Sequence, residues 1–315
     1  VLLALCSKNN PADVDHILAG HPDMILKDED LVAKRVNWLD KATNLQELAT
    51  ELNLGLDSFV FIDDSLFELG LVQREMPQVK CIQVPKTLSE YPALIQRLRR
   101  DFFSLSRASE DERKTEMYRE EKQRQAQVSQ YNSIEEYWTS LKLQLTIQWD
   151  EQIPVARAAQ LSQKTNQFNL TTRRYTEDDI QRMLADPLYT LVVFSAADHY
   201  GDYGATGMAI VREDAAHSGC AVVDSFLMSC RIIGRNIEYS FFDEFISVLH
   251  MKGIRRLRGE YFATTKNSQV AKFYDRIGFE LTSDKESSRD YRILLSDYKY
   301  QNIKYIKTDG TGAIV

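Results

Sequence analysis

Residue types that can do chemistry lie where the apolar segments of the N-terminal region end. They are Cys6, Ser7, Lys8 and Asn9 after the first segment, Lys41 at the start of a helical stretch, and Asp63 and Asp64 after a later segment. Ligands bind at the carboxyl ends of strands in an open parallel sheet, so these groups are expected to converge. A hydroxyl and an ammonium can hold a phosphoryl group, and adjacent carboxylates can hold Mg²⁺. An Asp-Asp pair is also a common helix cap, but the ordered combination favours a phosphoryl site.

Cys6 is the candidate nucleophile of this group. The thiolate is the reactive form of cysteine, and nearby cations or a helix N-terminus lower a thiol pKa. Lys8 and the helical segment that follows are therefore expected to lower the pKa of Cys6. The alternative is a small buried hydrophobic residue at a strand end.

A second group of candidates lies in the segment 224–236. There an apolar strand runs into an Arg-x-x-Gly turn, formed by Arg231 and Gly234, before an amphipathic stretch. Backbone N–H groups and the positive end of the helix dipole would meet at such a turn. The pattern predicts an anion site suited to a pyrophosphate or a phosphopantetheine phosphate. Cys230, beside Arg231, is a second candidate thiol, and packing in the sheet core is its alternative.

The N-terminal residues 1–104 alternate strand-like and helix-like segments, which predicts βα units on a parallel sheet. The predicted strands are Val1–Leu5, Met24–Leu26, Phe59–Ile62 and Lys80–Val84, and the predicted helices are Pro11–Gly20, Lys41–Leu52, Ser65–Arg74 and Ser89–Arg100. Val1–Leu5 has the composition of a buried strand. We therefore expect that the first strand of this domain lies upstream.

Residues 105–143 are highly charged and are predicted to connect two domains. Capping boxes at Ser109–Glu112 and Ser133–Glu136 predict two helices there.

Residues 144–315 return to a mixed α/β pattern. Its predicted strands are Gln144–Gln148, Thr190–Ser195, Tyr203–Val211, Gly219–Phe226, Arg256–Glu260 and Tyr291–Leu295, and its predicted helices are Ile153–Ser162, Thr176–Ala185, Glu238–Lys252 and Ser268–Ile277.

Composition excludes several classes of protein. The net charge of −7 over 315 residues argues against a general nucleic-acid binder. No apolar run reaches about 18 residues, so no membrane span is expected. Four cysteines show no CxxC pair and no histidine at metal-binding spacing: Cys6, Cys81, Cys220 and Cys230. We therefore expect neither a disulfide framework nor a zinc site. We expect a reducing, cytoplasmic compartment.

The order of the N-terminal groups resembles the HAD phosphotransferase fold. The resemblance implies that Ser7 is the second motif, Lys41 the third, and Asp63 with Asp64 the acidic, Mg²⁺-binding fourth. The first motif of that family, an Asp-x-Asp that supplies the phosphoryl acceptor and a metal ligand, is absent from this chain. The resemblance thus implies a partial Rossmann-like HAD sheet with impaired phosphatase activity.

The C-terminal domain resembles the pantetheine-binding core of GNAT acyltransferases, through residues 224–236 and 267–279. The resemblance implies that the pantetheine arm or its phosphate is bound by Arg231, Gly234, Arg235 and Asn267. It also puts Tyr274 at the position of a general acid for the departing thiolate, with a core tyrosine as the alternative. Asn236 stands where the pattern has a small residue.

Several strings in order are similar to the FkbH-like glyceryl transferases of polyketide pathways, and together they span nearly the whole chain. They are residues 3–14, 37–41, 54–64, 162–175, 201–204 and 225–235. The resemblance implies transfer of a glyceryl unit from 1,3-bisphosphoglycerate to the phosphopantetheine thiol of an acyl carrier protein, with loss of phosphate, Mg²⁺ as cofactor and Cys6 as nucleophile. The implied phosphate or substrate contacts are Ser7, Lys8, Asn9, Lys41, Asn166, Asn169, Thr172 and Arg173.

Three other functions stay open at this point. The first is a HAD-type phosphatase or phosphotransferase with a passive C-terminal half. The second is an N-acyltransferase that uses a CoA thioester, against which Asn236 argues. The third is a docking module without catalytic activity.

Overall fold

The chain folds into two compact units, Val1–Lys122 and Gln123–Val315, in a computed structural model. The structure describes residues 1–102, 114–128, 130–131, 133–150 and 153–311. The capping box at Ser109–Glu112 lies outside the described residues. The predicted division at residues 104 and 143 stays a prediction.

The first unit consists of βα repeats. Its elements are β1 Leu3–Ser7, α1 Pro11–Gly20, β2 Leu31–Val36, α2 Lys41–Glu51, β3 Val60–Asp63, α3 Leu66–Glu75, β4 Lys80–Gln83 and α4 Tyr91–Asp101, followed by α5 Lys114–Val128, which continues into the second unit. Strand β1 pairs in parallel with β2, and β3 pairs in parallel with β4. Residues from α2, α3 and both strand pairs form one apolar cluster, which includes Val32, Leu48, Phe61 and Val72.

The predicted strand Met24–Leu26 is wrong, and the second strand of the unit is β2. Ile25 is 94% exposed, whereas Val32 and Ala33 are buried. The charged side chains of β2 hide its strand character in the sequence. Lys34 pairs with Asp15 and Asp28, and Arg35 pairs with two glutamates of α2. The other predicted strands and helices of this unit are confirmed within about two residues of their ends. The expectation that Val1–Leu5 is buried is wrong, since Val1 is 75% exposed and Leu3 is 46% exposed.

The second unit is built on a nine-stranded mixed sheet. Its helices are α6 Ile134–Leu141, α7 Val155–Lys164, α8 Glu177–Ala185, α9 Ile237–Met251 and α10 Phe273–Arg276, and its strands are β5 Leu143–Trp149, β6 Phe168–Asn169, β7 Tyr189–Asp198, β8 Gly201–Glu213, β9 Cys220–Met228, β10 Arg256–Phe262, β11 Glu280–Lys285, β12 Ser288–Leu294 and β13 Ile306–Thr311. The strand order is β11-β12-β10-β9-β8-β7-β5-β13, and β6 pairs with β9.

Most of the predicted elements of this unit are confirmed. Ser133 caps α6 by accepting a hydrogen bond from the backbone N–H of Glu136, as its capping box predicts. The predicted helix Ser268–Ile277 is instead a 3₁₀ turn at Ser268–Val270 and the short α10. The sequence reasoning missed β6, β11 and β13. In the described part of the chain, no helix combines the length and apolar character needed to cross a membrane.

Parallel strands β9 and β10 separate partway along their length. Their pairing runs from Cys220↔Arg256 to Val223↔Gly259 and stops there. Beyond that point β6 lies between them: Leu170 N–H donates to the Phe226 carbonyl (3.0 Å), and the Leu170 carbonyl accepts from Phe262 N–H (2.8 Å). The separation of the two strands is thus filled by the chain's own backbone, which satisfies polar groups on both.

Candidate functional site

Helix α2 is fixed at its first turn, where Lys41 lies. Asp40 caps the helix by accepting a hydrogen bond from Thr43 N–H (2.7 Å). The side-chain amides of Asn37 and Asn44 donate to each other (3.0 and 2.9 Å), and Asn44 is fully buried. These bonds hold the loop that leads into the helix and so fix the position of Lys41.

The Lys41 ammonium joins the ends of β1 and β3. Its Nζ donates to the Cys6 carbonyl oxygen (2.5 Å) and lies 3.3 Å from Asp63 Oδ2. Only 7% of Lys41 is exposed, so its charge must be matched inside the unit. Three residues that the sequence places on separate elements, Cys6, Lys41 and Asp63, are therefore brought together.

The two aspartates after β3 have different surroundings. Asp63 is largely buried, and its Oδ1 accepts a hydrogen bond from Ser65 N–H (2.9 Å) while its Oδ2 faces Lys41. Asp64 is exposed. Ser65 caps α3 by accepting from the backbone N–H of Glu68.

Glu68 is a member of this group that sequence reasoning missed. Its Oε1 lies 2.6 Å from Lys8 Nζ, and Oε2 is buried without a hydrogen-bond partner in the described part of the chain. The spacing Ser65-x-x-Glu68 resembles a capping box, in which the glutamate would bond back to the cap residue. The glutamate pairs with Lys8 instead, so only the close spacing to Asp63 and Asp64 could have drawn attention to it.

The Cys6 thiol is less acidic than the sequence suggests. Burial raises its pKa above the ordinary value of 9.0, and the attraction of Lys41 does not offset this. Asp63 and Glu68 raise the pKa further, while Arg35 lowers it. The expectation of a lowered thiol pKa is thus wrong, because desolvation of the thiolate outweighs the neighbouring cations.

Ser7 and Asn9 complete the N-terminal group. Ser7 is half-buried at the end of β1, and its carbonyl accepts a hydrogen bond from Asn37 N–H (3.1 Å). Asn9 is exposed, and its side chain accepts from Asn10 N–H. We refer to Cys6, Ser7, Lys8, Lys41, Asp63, Asp64 and Glu68 as the strand-end cluster.

The carboxylates of the strand-end cluster could hold Mg²⁺ only if water or a bound substrate supplied further oxygen ligands. Across the described residues, no three His, Cys, Asp or Glu side chains group together as a metal site. Asp63 and Asp64 provide two carboxylates, and Mg²⁺ is commonly held by one or two carboxylates plus waters and substrate phosphates. The charges of Lys8 and Lys41 are already matched by Glu68 and Asp63, so a bound phosphate would need a further cation.

The polar string 162–175 of the second unit satisfies its own hydrogen bonds. Asn169 is fully buried, and its Oδ1 accepts from Thr172 N–H (2.8 Å), where Thr172 has a positive φ of 54°. The Asn166 side chain accepts from Arg174. Asn166, Asn169 and Thr172 thus shape the loop, and their role in binding a substrate stays a prediction.

Arg173 lies where β9 and β10 separate. Its guanidinium donates to the carbonyl of Asp224 (2.8 Å) and to Glu260 Oε2 (2.8 Å) and pairs with the Asp224 carboxylate. The other oxygen of that carboxylate accepts from the Tyr175 hydroxyl. One arginine between two carboxylates leaves this position with a surplus of negative charge when all three groups are ionised.

The predicted anion turn lies between β9 and α9. Gly234 and Asn236 both have positive φ, 85° and 61°. The Arg231 guanidinium makes long contacts of 3.4 Å with Ser229 Oγ and 3.5 Å with the Tyr203 carbonyl. Burial raises the pKa of the neighbouring Cys230 thiol, and Arg231 only partly offsets this.

Arg235 belongs to a buried network of charges. Its guanidinium donates to the Tyr203 hydroxyl, which in turn donates to Asp198 Oδ2 (2.6 Å). Arg124 of α5 binds both oxygens of Asp198 (2.7 and 2.8 Å), and both side chains of that pair are almost completely buried. The Arg235 guanidinium therefore already has an internal partner. Its contact with a ligand stays a prediction.

Glu238, in the first turn of α9, is a buried acid beside the predicted anion turn. Its Oε2 has no hydrogen-bond partner among the described residues, and burial raises its pKa to about 7. Arg276 lowers the pKa, but less than burial raises it. A carboxylate here would repel a phosphate, which the sequence reasoning did not consider.

Tyr274 and Asn267 lie inside the second unit. The Tyr274 hydroxyl is completely buried and has no hydrogen-bond partner in the described part of the chain, and burial raises its pKa. Asn267 donates to the carbonyls of Asn169 and Phe262, and its Oδ1 accepts from Tyr261 and Thr264. The placement of Tyr274 matches its core alternative, and the functional roles of both residues stay predictions.

Comparisons with known proteins find matches only among solved structures, since no protein-family model and no curated protein matches the chain. One match is the N-terminal part of a Bacteroides fragilis protein, which contains a phosphatase domain and is complexed with Mg. It is 34% identical over 31% of this chain and 26% of that chain, with a TM-score of 0.30. This chain thus spans about a quarter of that one.

Two acetyltransferase structures each match about half of the chain. A protein assigned to the GNAT family, from Desulfovibrio desulfuricans, is 16% identical over 48% of this chain and 99% of that chain, with a TM-score of 0.37. The ribosomal-protein-S18-alanine N-acetyltransferase from Escherichia coli is 13% identical over 48% and 94%, with a TM-score of 0.37. The predicted fold class is confirmed: both units are mixed α/β with parallel strand pairs.

Proposed function

We propose that this protein transfers a glyceryl unit from 1,3-bisphosphoglycerate to the phosphopantetheine thiol of an acyl carrier protein, with release of phosphate. The observation that carries the proposal is the meeting of a thiol residue, an ammonium and a carboxylate at Cys6, Lys41 and Asp63. An acyl phosphate is already activated, so its transfer chiefly requires a nucleophile and positive charge beside the leaving phosphate.

The reaction proceeds in two acyl transfers. Cys6 Sγ attacks the carbonyl carbon of the acyl phosphate, the C–S bond forms, and the C–O bond to phosphate breaks. The thiol proton passes to the departing phosphate, which leaves as hydrogen phosphate. The pantetheine thiol then attacks the Cys6 thioester, its proton passes to the departing Cys6 sulfur, and the glyceryl group leaves on the carrier. Each step exchanges one acyl bond for another, so no oxidant or reductant is needed.

The residues around Cys6 have separate tasks in this scheme. Lys41 holds the end of β1 and contributes positive charge near the reacting carbonyl, and Ser7 offers a hydroxyl to the phosphate. Lys8 lies just after the end of β1, and its ammonium, which pairs with Glu68, is a second positive charge close to Cys6 in the sequence. Asp63 and Asp64 would hold Mg²⁺ together with substrate oxygens, and the ion would supply charge to the leaving phosphate.

Intact-mass measurement tests the proposal. The protein is mixed with Mg²⁺, 1,3-bisphosphoglycerate and a holo acyl carrier protein, and both proteins are weighed. We expect a glyceryl adduct on the carrier and a transient adduct on the enzyme that maps to Cys6. Cys6→Ser should abolish both, whereas Cys81→Ser, a half-buried thiol of the same unit, should retain them.

Two results would contradict the proposal. Undiminished transfer by the Cys6→Ser variant would remove Cys6 as the nucleophile. Phosphate release without an adduct on either protein would instead favour a phosphatase built on the same cluster.

A further inference from the structure

A row of basic side chains crosses one face of the sheet in the second unit. The register places Arg212 of β8 beside Val222 of β9, Val222 beside Arg258 of β10, and Arg258 beside Arg292 of β12. Residues paired across neighbouring strands point to the same side of a sheet, as does Arg256, two residues before Arg258. With strands about 4.8 Å apart, the row spans about 14 Å from β8 to β12. We call Arg212, Arg256, Arg258 and Arg292 the arginine row.

The arginine row lies where this face of the sheet becomes open to solvent. Helices α7 and α8 pack over the face at Ile210, which lies two residues before Arg212 on β8. Over β10 and β12 the face is open, because Arg256 and Arg258 are exposed. Leu294, which pairs with Arg256, is 45% exposed. The row is therefore accessible to a partner over most of its length.

The chain leaves most of the positive charge of the row unmatched. Arg292 pairs with Glu280 at 2.8 Å, and both side chains are exposed. Among the described residues, no ion pair or hydrogen bond engages the side chains of Arg212, Arg256 or Arg258. Arg258 and Arg292 lie directly opposite each other in an antiparallel pair, where like charges destabilise a sheet. A partner with negative charge would turn this repulsion into attraction.

The surroundings of the row fit an acidic protein surface better than a nucleic acid. The next residues on the same face of β10 and β12 are Glu260 and Asp290, so carboxylates border the row on one side. The continuous phosphate charge of a nucleic acid would meet them, whereas a protein helix presents its carboxylates at discrete positions. Val222 and Leu294, which lie beside the arginines, are aliphatic and offer no ring for base stacking. A span of about 14 Å corresponds to about two and a half turns of a helix.

We propose that the arginine row docks the acyl carrier protein through an acidic helix of the carrier. This inference rests on the proposed function, which requires such a carrier. The arginines contact carboxylates of the helix, and the exposed Leu294 contacts its apolar side chains. Arg258 lies between Arg256 and Arg292 and therefore contributes most. Because the phosphopantetheine arm is long and flexible, the docking surface and the position at which its thiol reacts need not coincide.

Binding of a fluorescently labelled holo acyl carrier protein to the full chain tests the docking surface. Arg258→Glu reverses one charge of the row, and Arg258→Lys keeps that charge. Lys304→Glu is the matched control, because Lys304 is exposed just before β13, at the opposite edge of the sheet. The dissociation constant and the association rate are measured at about 0.05 M and about 0.5 M salt. Thermal unfolding of each variant reports whether it folds.

We expect Arg258→Glu to raise the Kd of the carrier at least about tenfold at low salt, mainly through slower association. The difference should shrink at high salt, because salt screens exposed charges. Arg258→Lys and Lys304→Glu should stay within about threefold of the parent. Arg258→Glu should fold, since the substitution replaces a like-charge pair with Arg292 by an opposite-charge pair. Formation of a glyceryl adduct on Cys6 without the carrier should be unchanged in every variant.

Several results would overturn the docking site. They are no binding of the carrier by the parent protein, unchanged binding by Arg258→Glu, and an equal loss in Lys304→Glu. Tighter binding of a single-stranded oligouridylate than of the carrier, with loss of that binding in Arg258→Glu, would assign the row to a nucleic acid instead. Absence of a Cys6 adduct in the parent would contradict the proposed function, and it is distinguishable because adduct formation is measured without the carrier.

Discussion

The buried carboxyl of Glu238 should make the stability of the second unit depend on pH. Only 8% of this residue is exposed, and burial raises its pKa from the ordinary 4.5 to about 7. Between these values the folded state binds more protons than the unfolded state. The free energy of unfolding therefore falls as pH rises from about 4.5 to 7, and the full penalty persists above that range.

The magnitude follows from the two pKa values. At 1.36 kcal/mol per pH unit, the difference between 4.5 and about 7 corresponds to about 3 kcal/mol. The value of about 7 is already a balance between burial, which raises the pKa, and a backbone N–H with Arg276, which lower it. We therefore expect a loss of about 2–3 kcal/mol above pH 7.

Glu238→Gln removes this titration. We expect the variant to gain about 2–3 kcal/mol on the parent protein between pH 4.5 and pH 8. A buried amide without an acceptor costs about 1–3 kcal/mol, but that cost is the same at both pH values, so the change between them is the informative quantity. Urea unfolding can be followed by tryptophan emission, because Trp149 is buried in the second unit while Trp38 is 71% exposed. Glu244→Gln, exposed on the same helix, is the control.

An identical stability difference at pH 4.5 and pH 8 would refute this reasoning. It would mean that Glu238 titrates as an exposed acid and that burial in the first turn of α9 does not raise the pKa of its carboxyl.

Two further substitutions test the packing of the second unit. Asp198→Asn should cost about 3–5 kcal/mol of unfolding free energy, because it removes the carboxylate charge that the buried Arg124 guanidinium binds. A loss below about 1 kcal/mol in urea titrations would show that water reaches the pair. Gly259→Ala should cost about 1–3 kcal/mol, because the new Cβ would lie 2.4 Å from Tyr274 Cζ. Replacing Tyr274 by Leu in that variant should recover part of the loss in thermal unfolding, and no recovery would count against this contact.

Elements with a clear period could be predicted from the sequence, and elements defined by distant partners could not. Strands β7 to β9 carry long apolar runs and could be predicted from them. Strand β6 has two residues, and its pairing depends on the separation of β9 and β10, which no local pattern records. Strand β2 was missed because Lys34 and Arg35 find ion-pair partners elsewhere in the first unit.

The site shows the same division. Strand-end reasoning predicted that Cys6, Lys41 and Asp63 come together, and they do. Strands β1 and β3 belong to separate two-stranded sheets, and Lys41 of α2 joins their ends. Sequence reasoning predicted that the pKa of the Cys6 thiol is lowered, which is wrong, because the burial of a side chain cannot be predicted from its neighbours in the sequence. It also missed Glu68, whose partner Lys8 lies 60 residues away.

The pairing of Arg124 with Asp198 sets where the second unit can be cut from the rest of the chain. Strand β5 begins at Leu143, and a division just before it would look natural in the sequence. Such a fragment would keep Asp198 in its interior and lose the only side chain shown to bind both of its oxygens in the described residues. The last turns of α5 are therefore an integral part of the C-terminal module, and they would have to accompany it in any excision, fusion or exchange between proteins.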